Sequence, residues 1–473
     1  MRSYLSSWLP AVVIAGSTSA APRPQVDLSA LFAPPSAAEL DQVRAEWAGR
    51  NPLALKWRIE GTTQLSSGHR LDVVSHLIDG RRHYAAVRYP LAFQPGSSHP
   101  VMMFLHGGFS GVHVAMLRSF DYLIGSSTLG DEYFYLLPSF RGESLGTGTL
   151  GSFHSKGSGS AMDRDVDDSM ALLDGLLAHV PEADRLRVCV FGTSRGGGTA
   201  LLMGIRDGRV RKLVDAFGMT DFFQPSIQAA LEAWINSGVK PKNPAYRHAL
   251  GVAVDPYLSG QLSLTDARLA LVRSSAARFA SDLPHTQIHH GRMDQTVDIE
   301  HSDRLDAALK RASPPVPYEY FRYVAGVHNL SSLNGAGARI GAFFGELALA
   351  PSSYCVTSPN SVGAGALIDY SGSTSLSAAD LILSASGLPP AGPARFIHSA
   401  TRAQIPFGQG VLCLGSTLAQ SPTLAISPLG TVSHSFDFIA LGFTPGTTRH
   451  FQLWYRDGGP INYTDALTVT FGP

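Results

Sequence analysis

The chain has 473 residues, of which 37 are basic and 37 are acidic, so its formal net charge is zero. This length exceeds that of one compact domain, and two domains are expected. A balanced charge offers no attraction for nucleic acid or for an anionic membrane surface, so neither is expected as a partner.

The first twenty residues have the pattern of an export signal. Arg2 supplies a positive charge, residues 8–15 are largely apolar, and residues 17–21 are small, as a signal peptidase requires. A disordered start is the alternative. No later stretch reaches the roughly 18 consecutive apolar residues of a membrane-spanning helix. We therefore expect residues 1–20 to be a signal peptide, the mature chain to be a secreted, extracellular bacterial protein, and no transmembrane segment to follow.

Residues 21–64 form a lead-in with Pro-rich segments and partial helical character, whose role the pattern does not indicate. After it, two β-type runs, 71–78 and 83–89, flank Asp79 and Gly80. This pair tolerates the positive φ angles of a tight hairpin. Antiparallel strands are therefore expected at the start of the main sheet.

Strand-like and helical patterns alternate through the middle of the chain. One helix has apolar residues on a single face, at spacings of four, three and four: Val166, Met170, Leu173 and Leu177. The β-rich runs are 101–105, 133–137, 186–191, 213–217, 285–289 and 318–324. Such alternation predicts an α/β domain over residues 65–350, with a parallel sheet covered by helices and a cap-like insertion at about 222–278.

Composition changes near residue 350. Only 9 of the 74 charged residues lie in the last 123 residues, which contain neither Lys nor Glu. Their short β-type runs are separated by Gly, Pro and Ser clusters. Residues 351–473 are therefore predicted to form an all-β sandwich or jelly-roll domain. Cys355 and Cys413 fall in this tail and can pair if the protein is exported, whereas Cys189 lies in an apolar strand pattern.

Two Gly-x-Ser-x-Gly strings occur, at 142–146 and 192–196. A nucleophile elbow requires a buried strand that enters a tight turn and then a helix, so that the serine stands above the sheet edge. Only Ser194 has this setting, because a strand pattern precedes it and a helical pattern, 199–205, follows it. A stretch rich in glycine and threonine follows Ser144, which is therefore expected in a loop. We predict that Ser194 is the nucleophile.

A serine hydroxyl needs a base to activate it, and the chain order in such sites is serine, acid, histidine. His328 follows the strand pattern 318–324 after a short turn, where a loop at the carboxyl edge of the sheet would place it. Asp294 follows the preceding strand pattern and is the predicted acid, with Asp298 and Asp303 as competitors. Asp303 falls within a helical pattern, where a solvated carboxylate is the ordinary interpretation.

Negative charge that develops on a substrate oxygen requires two N–H donors. The backbone amide of Arg195 is the first candidate, and those of Gly107 and Gly108, which follow the strand at 101–105, are candidates for the second. The side chain of His106 either serves this loop or is an ordinary histidine at a strand end.

No cofactor or metal is expected. His285 and His289 form a His-x-x-x-His string beside His290. Along a strand, the first two imidazoles would lie roughly 13 Å apart, too far to bind one ion. The cluster is therefore interpreted as packing at a strand end, with a zinc site as the alternative.

Five segments occur in an order that carries a family resemblance. They are His-Gly-Gly-Phe at 106–109, Ser-Phe-Arg-Gly at 139–142, the Asp-rich helix from 163, Gly-Thr-Ser-Arg-Gly-Gly-Gly at 192–198 and His-Gly-x-x-Asp at 290–294. Together they resemble the catalytic domain of the prolyl oligopeptidase family of serine peptidases, over roughly residues 65–348. The resemblance implies the α/β-hydrolase fold and a triad of Ser194, Asp294 and His328.

Two features depart from that family. Members that cleave oligopeptides usually carry an N-terminal β-propeller, for which the roughly 45 residues between the predicted signal and the predicted core leave no room. His106 occupies the place where many members have a tyrosine that helps to bind the oxyanion. The tail from Tyr354 to Pro473 resembles a C-terminal module of large exported bacterial proteins, in which Gly472 replaces a frequent final cysteine.

These patterns predict a secreted serine hydrolase of prolyl oligopeptidase type that cleaves peptide or related acyl bonds. The alternatives are a secreted carboxylesterase or polyester-degrading esterase, and a non-catalytic binding protein on a hydrolase scaffold. The expected partner is a small peptide or ester substrate, with an extracellular polymer or surface as a candidate ligand of the tail.

Overall fold

The computed structural model describes residues 27–473 except 126, 239, 240, 242 and 416. The predicted signal peptide, residues 1–20, lies outside the described residues. Within the part of the chain that is described, no helix is long and apolar enough to cross a membrane.

A nine-stranded sheet forms the centre of the molecule. The strands between residues 55 and 323 are β1 (Leu55–Gln64), β2 (Arg70–Ile78), β3 (Arg81–Arg88), β4 (His99–Leu105), β5 (Val112–His113), β6 (Phe134–Pro138), β7 (Ser144–Gly146), β8 (Ser152–His154), β9 (Ala183–Thr193), β10 (Val210–Ala216), β11 (His285–Gly291) and β12 (Tyr318–Tyr323). The central order is β1-β2-β3-β6-β4-β9-β10-β11-β12, and β5, β7 and β8 form a small separate sheet. From β6 to β12 in that order the neighbours run parallel, whereas β1, β2 and β3 are antiparallel.

The start of the sheet differs in one respect from the prediction. The β2–β3 hairpin lies where the sequence predicts it, with Asp79 and Gly80 at φ angles of 50° and 71°. However, β1 falls within the predicted lead-in, so the sheet begins at Leu55 and not after residue 65. This strand lies at the sheet edge with most side chains exposed, and it therefore lacks the apolar alternation that marks a strand in a sequence.

Helices cover both faces of the central sheet. They are α1 (Ser29–Phe32), α2 (Ala37–Ala48), α3 (Ala115–Ile124), α4 (Ser127–Glu132), α5 (Arg164–His179), α6 (Arg195–Arg206), α7 (Pro225–Ser237), α8 (Pro244–Ala249), α9 (Asp255–Leu258), α10 (Leu264–Arg273), α11 (Glu300–Leu309) and α12 (Ala336–Ala348). Along β4, Val101 and Met103 pack with α5 and α6, whereas Met102 and Phe104 pack with α3 and α12. Burial on both faces is typical of a parallel sheet and explains its nearly continuous apolar strands.

Helices α7 to α10 form a helical cap between β10 and β11. A π-helical turn (Leu250–Val254) joins α8 to α9, and a 3-10 helix (Ala276–Asp282) leads from α10 back to β11. Buried residues of the cap such as Ile227 and Leu271 extend the core that contains α5 and α6. The cap therefore packs on the same face of the sheet as the helix that follows Ser194.

Among the described residues after α12, all regular elements are β-strands. Its strands are β13 (Ser352–Tyr354), β14 (Leu367–Ser371), β15 (Ile382–Ser386), β16 (Pro393–Ser399), β17 (Arg402–Phe407), β18 (Gly410–Leu414), β19 (Ala419–Gln420), β20 (Leu424–Ala425), β21 (Val432–Ser435), β22 (Thr448–Arg456) and β23 (Ile461–Thr470). A six-stranded sheet around β22 and β23 and the three-stranded sheet β14-β15-β21 share one apolar core, so they pack face to face as a sandwich. A disulfide joins Cys355 to Cys413, and Cys189 is buried and free.

Candidate active site

Ser194 stands at a sharp turn between β9 and α6. Its backbone has φ 55° and ψ −123°, a strained conformation for a residue other than glycine. The turn is possible because Gly192 and Gly196 have no side chain at positions where neighbouring backbone approaches closely. A Cβ at Gly192 would lie 2.1 Å from the Gly196 carbonyl oxygen, and a Cβ at Gly196 would lie 2.1 Å from that of Leu105. The elbow thus raises the Ser194 hydroxyl at the carboxyl end of the strand.

The structure brings Ser194, His328 and Asp294 together. The His328 Nε2 atom lies 2.9 Å from Ser194 Oγ, and its Nδ1 atom lies 2.7 Å from Asp294 Oδ2. His328 belongs to the loop after β12 and Asp294 to the loop after β11. Since β9, β11 and β12 run parallel, their carboxyl ends meet at one edge of the sheet, which explains why residues so distant in sequence converge.

The Asp294 carboxylate is firmly held. Its Oδ1 atom accepts hydrogen bonds from the amides of Thr296 and Val297 at 2.8 and 3.0 Å. Burial raises the pKa of Asp294, but hydrogen bonds from His290 and His328 outweigh burial and keep this pKa well below its usual value. The carboxylate is therefore ionised at neutral pH, so it can accept the Nδ1 proton of His328 and leave Nε2 free to accept a proton from the serine.

The competing residues lie elsewhere. Ser144 is in strand β7, not in the loop that the sequence predicts, and its Oγ lies 3.1 Å from Nδ1 of His154. The stretch rich in glycine and threonine that follows Ser144 leads into β8, which pairs with β7. The sequence pattern does not indicate this pairing. Asp298 accepts a hydrogen bond from Tyr246 of the cap, and Asp303 accepts one from Tyr320.

Three backbone amides around the elbow have no protein acceptor. Among the described residues, the N–H groups of Gly107, Gly108 and Arg195 donate no hydrogen bond to another protein group. A Cβ at Gly107 would lie 3.1 Å from the Ser194 Cβ, so this loop passes directly beside the serine. The Gly107 and Arg195 amides, which adjoin Ser194, therefore have a free hydrogen-bond donor.

His106 packs into the protein. Its ring is buried, lies 4.6 Å from the Phe140 ring, and places Nδ1 3.0 Å from the Gly107 carbonyl oxygen. Burial lowers the pKa of His106, so the ring is neutral near neutral pH. The contact with Phe140 fits a histidine that packs at a strand end, and the contact with the Gly107 carbonyl oxygen fits one that supports the loop at 107–109.

The side chain of Arg195 connects the elbow to the loop at 107–109, a role that the sequence patterns do not indicate. It is 1% exposed, donates to Asp165 Oδ2 at 3.0 and 2.5 Å, and also donates to Glu143. Its Nη1 atom donates to the Gly108 carbonyl oxygen at 2.8 Å. The peptide group after Gly108 is therefore oriented by the residue that follows the nucleophile. The acidic residues at the start of α5 include Asp165, the partner of Arg195. In the sequence, however, acidic residues there are explained equally well by the helix dipole.

One further contact at the site has no signal in the sequence patterns. The Phe217 ring, just after β10, lies 4.6 Å from the His328 ring and limits its movement. Phe217 has a positive φ angle of 47°, which a sequence pattern does not reveal for a phenylalanine.

The histidines of β11 each have a structural contact. The His285 ring packs against Phe343, His289 Nδ1 lies 2.7 Å from the Tyr323 hydroxyl, and His290 Nδ1 lies 2.7 Å from the Ser302 hydroxyl. Within the described residues, no three His, Cys, Asp or Glu side chains are grouped to hold a metal ion.

Comparisons with known proteins give weak likenesses. No protein-family model and no curated protein matches this chain. Acetyl xylan esterase 1 from a Thermoanaerobacterium species is 18% identical over 68% of this chain and 99% of its own, with a TM-score of 0.49. A puromycin-hydrolyzing peptidase from Mycobacterium tuberculosis is 19% identical over 60% of this chain and 40% of its own, with a TM-score of 0.43.

An S-formylglutathione hydrolase from Agrobacterium tumefaciens is 15% identical, covers 61% of this chain and 99% of its own, and has a TM-score of 0.43. The fold itself follows from the strand order, the parallel crossovers and the strand-turn-helix at Ser194. The predicted fold class is confirmed: the chain has an α/β-hydrolase fold followed by additional β-sheets.

Proposed function

We propose that this protein is a serine hydrolase that cleaves acyl bonds, with Ser194 as nucleophile, His328 as general base and acid, and Asp294 as the residue that orients His328. One observation carries the proposal: His328 lies within hydrogen-bond distance of the Ser194 hydroxyl on one side and of an ionised, fully buried carboxylate on the other. This arrangement can activate a hydroxyl that is otherwise a poor nucleophile.

The reaction would proceed in two halves. His328 Nε2 takes the Ser194 proton while Oγ bonds to the substrate carbonyl carbon, and the amides of Arg195 and of Gly107 or Gly108 stabilise the resulting oxyanion. The imidazolium then protonates the leaving group as the acyl-enzyme forms. In the second half, water gives a proton to His328 as its oxygen bonds to the acyl carbon, and the imidazolium then returns the proton to Ser194 Oγ as the acid leaves.

Peptide-bond cleavage of prolyl oligopeptidase type is the first candidate activity. It is supported by the five ordered segments between residues 106 and 294, four of which provide the elbow, the acid loop, the loop at 107–109 and the start of α5. A carboxylesterase is the second candidate. It is favoured by the described residues before β1, which form the helices α1 and α2 against the cap and no propeller blade.

A fluorophosphonate probe tests the serine chemistry. We expect the wild-type protein to be labelled and Ser194→Ala to lose all labelling, because the probe reacts only with an activated serine. Ser144→Ala is a matched control, since Ser144 occupies the other Gly-x-Ser-x-Gly string, and it should be labelled normally. An unlabelled wild-type protein would favour the non-catalytic binding hypothesis. Labelling that is lost only in Ser144→Ala would show that Ser144, and not Ser194, is the nucleophile.

Parallel assays on aminoacyl amides and short-chain esters separate the two candidates. Turnover of both substrate types supports a peptidase, whereas ester turnover without amide cleavage removes the peptidase hypothesis. Ser194→Ala should abolish both activities.

We further propose that the protein is exported after removal of residues 1–20, and that residues 351–473 act as a separate module from the catalytic domain with its cap. The disulfide between Cys355 and Cys413 supports export, since such bonds persist mainly outside the cytosol. Mass spectrometry of the protein from the culture medium should give an N-terminus near Ala21. An intact N-terminus in the cell fraction would contradict export.

A further inference from the structure

A cavity of about 1040 Å³ lies between the cap and the central domain. One wall is formed by Phe109, Glu143 and Arg195, and the opposite wall contains Arg247 and Val252 of the cap. Ser194 itself is not among the described residues that line the cavity. However, its lining includes Arg195, which follows Ser194 directly, and Phe109, which follows the Gly107–Gly108 loop, so the cavity wall adjoins the elbow. A substrate bound at Ser194 can therefore extend one of its parts into this space.

Most charged groups of the cavity wall are already paired. Arg141 binds Asp168, Arg195 binds Asp165 and Glu143, and Arg273 binds Glu46. Among the acids of the wall, Asp163 binds Arg50, whereas the exposed Asp266 accepts a hydrogen bond from Ser263 at 2.7 Å and, within the described residues, pairs with no cation.

Arg247 is the exception among the arginines of the wall. Within the described residues, its guanidinium makes no ion pair or hydrogen bond, and the side chain is exposed. His248, the next residue, does not add positive charge, because burial lowers the pKa of its ring to about 3. The cavity wall thus offers one cation that has no protein partner.

We propose that this cavity binds a part of the substrate that ends in a carboxylate, and that Arg247 binds this carboxylate. The inference rests on the proposed hydrolase function and adds to it a substrate class: esters or amides with a free acid remote from the scissile bond. A guanidinium matches a carboxylate with two parallel N–H donors, and Val252 and Phe109 supply apolar surface for the intervening chain. Either the acyl group or the leaving group can carry the acid.

Two pairs of esters test the proposal and separate these sources. The first pair is the mono-4-nitrophenyl ester of adipic acid and the same ester with its free acid converted to an amide. The second pair is the acetyl ester of 4-hydroxybenzoic acid and the acetyl ester of its amide. We expect the wild-type protein to prefer the acid in one pair, and that pair identifies whether the acyl or the leaving group occupies the cavity.

Arg247→Gln should lower kcat/KM for the preferred acid about tenfold, mainly through KM, and leave its neutral amide unchanged. Arg247→Lys keeps the charge but not the two parallel donors, so its kcat/KM for the preferred acid should lie between the values of Arg247→Gln and the wild type. Arg311→Gln is the matched control, because Arg311 is also exposed and lies after α11, away from the cavity. Val252→Trp, which reduces the cavity volume, should weaken turnover of both esters of the preferred pair more than turnover of the other pair.

Several results would overturn the proposal. They are an equal effect of Arg247→Gln on acid and amide, an equal effect of Arg311→Gln, and no turnover of any of these esters by a protein that the fluorophosphonate probe labels. A wild-type protein that the probe does not label would instead refute the hydrolase function itself. The two failures are therefore distinguishable.

Discussion

The segments before and after the central domain attach to it at different places. The N-terminal helical segment, residues 27–50, packs on the cap that forms one wall of the cavity. The C-terminal β region, residues 352–473, packs at the amino ends of β9 and β10, whereas Ser194 lies at the carboxyl end of β9. Only the first segment is in a position to affect substrate binding, and the second is held where it can change stability without touching the site.

The N-terminal contacts centre on two arginines of α10. Arg268 donates to both carboxylate oxygens of Glu39, at 2.7 and 3.0 Å, and to the carbonyl oxygens of Ala30, Leu31, Ala33 and Pro34. Arg273, which lines the cavity, donates to Glu46 of α2 at 2.8 Å. The N-terminal helical segment thus fixes the helix that carries part of the cavity wall.

The C-terminal contacts are equally polar but lie at the other end of the sheet. Arg185 donates to Asp465 Oδ2 at 3.0 and 2.8 Å and to the Ile368 carbonyl oxygen. Asp184 accepts hydrogen bonds from the amide and hydroxyl of Ser353. Asp184 and Arg185 are the second and third residues of β9, whereas Ser194 follows the last residue of that strand.

Loss of the Arg185 side chain should have the largest effect on stability. Arg185→Met leaves the Asp465 carboxylate buried without its cation, and we expect the free energy of unfolding to fall by about 3 kcal/mol. Burial already raises the pKa of Asp465 to about 6, although Arg185 lowers it. The loss should therefore be greater at pH 8, where Asp465 of the folded wild-type protein is ionised and paired with Arg185, than at pH 5, where it is mainly protonated. Urea denaturation at the two pH values measures it.

The comparison predicts that kcat and KM of Arg185→Met remain at wild-type values while the protein is folded. Arg456→Met provides the control, because Arg456 is an exposed residue of β22 whose side chain binds only the Gly459 carbonyl oxygen. It should change stability by less than about 0.5 kcal/mol. A large fall in kcat for Arg185→Met would show that the C-terminal β region affects the site after all.

How much the sequence reveals differs between the sheet and its connections. The buried parallel strands and the elbow at Ser194 carry local signals, continuous apolar runs and clustered glycines, and these predict the fold directly. The loops that bring Asp294 and His328 to Ser194 follow from the topology, since parallel strands end at one edge. The edge strand β1 has no such signal because most of its side chains are exposed. Only its pairing with β2 in the structure identifies it as a strand.

Ion pairs between distant segments lie beyond local patterns altogether. The bonds from Arg195 to Glu143 and Asp165 span 52 and 30 residues, and the bond from Arg268 to Glu39 spans 229. A charged residue in a sequence indicates a solvated surface equally well, so only the folded chain shows which arginines are paired. Arg247 stands out for the same reason, since its lack of a partner is visible only in the structure.

Loss of the Arg268 side chain should have the next largest effect. Arg268→Met removes its bonds to Glu39 and to four carbonyl oxygens, which we expect to cost about 2 kcal/mol of unfolding free energy. Because α10 contributes Ala270 and Arg273 to the cavity wall, KM for a substrate that enters the cavity should rise a few fold. Turnover of the ester pair that does not enter the cavity should be unchanged. Steady-state kinetics on both substrates check this, and Arg268→Lys should lie between the variant and the wild type.

The smallest effect is expected from acid titration of Glu39. The hydrogen bonds from Arg268 lower the pKa of Glu39 to about 2, although burial opposes this shift. A carboxyl whose pKa is depressed in the folded state stabilises the fold fully above pH 4.5 and loses this contribution as the pH falls toward 2. Glu39→Gln should therefore unfold about 1 kcal/mol more easily than the wild type at pH 7, and the difference should shrink at pH 3. Asp41→Asn is the matched control on the same helix, because Asp41 is exposed and binds only Arg44. If the Glu39→Gln difference stays constant with pH, the Glu39 charge does not hold the N-terminal helical segment to the cap, and the packing of Trp47 against Phe279, whose ring centres lie 4.8 Å apart, must do so instead.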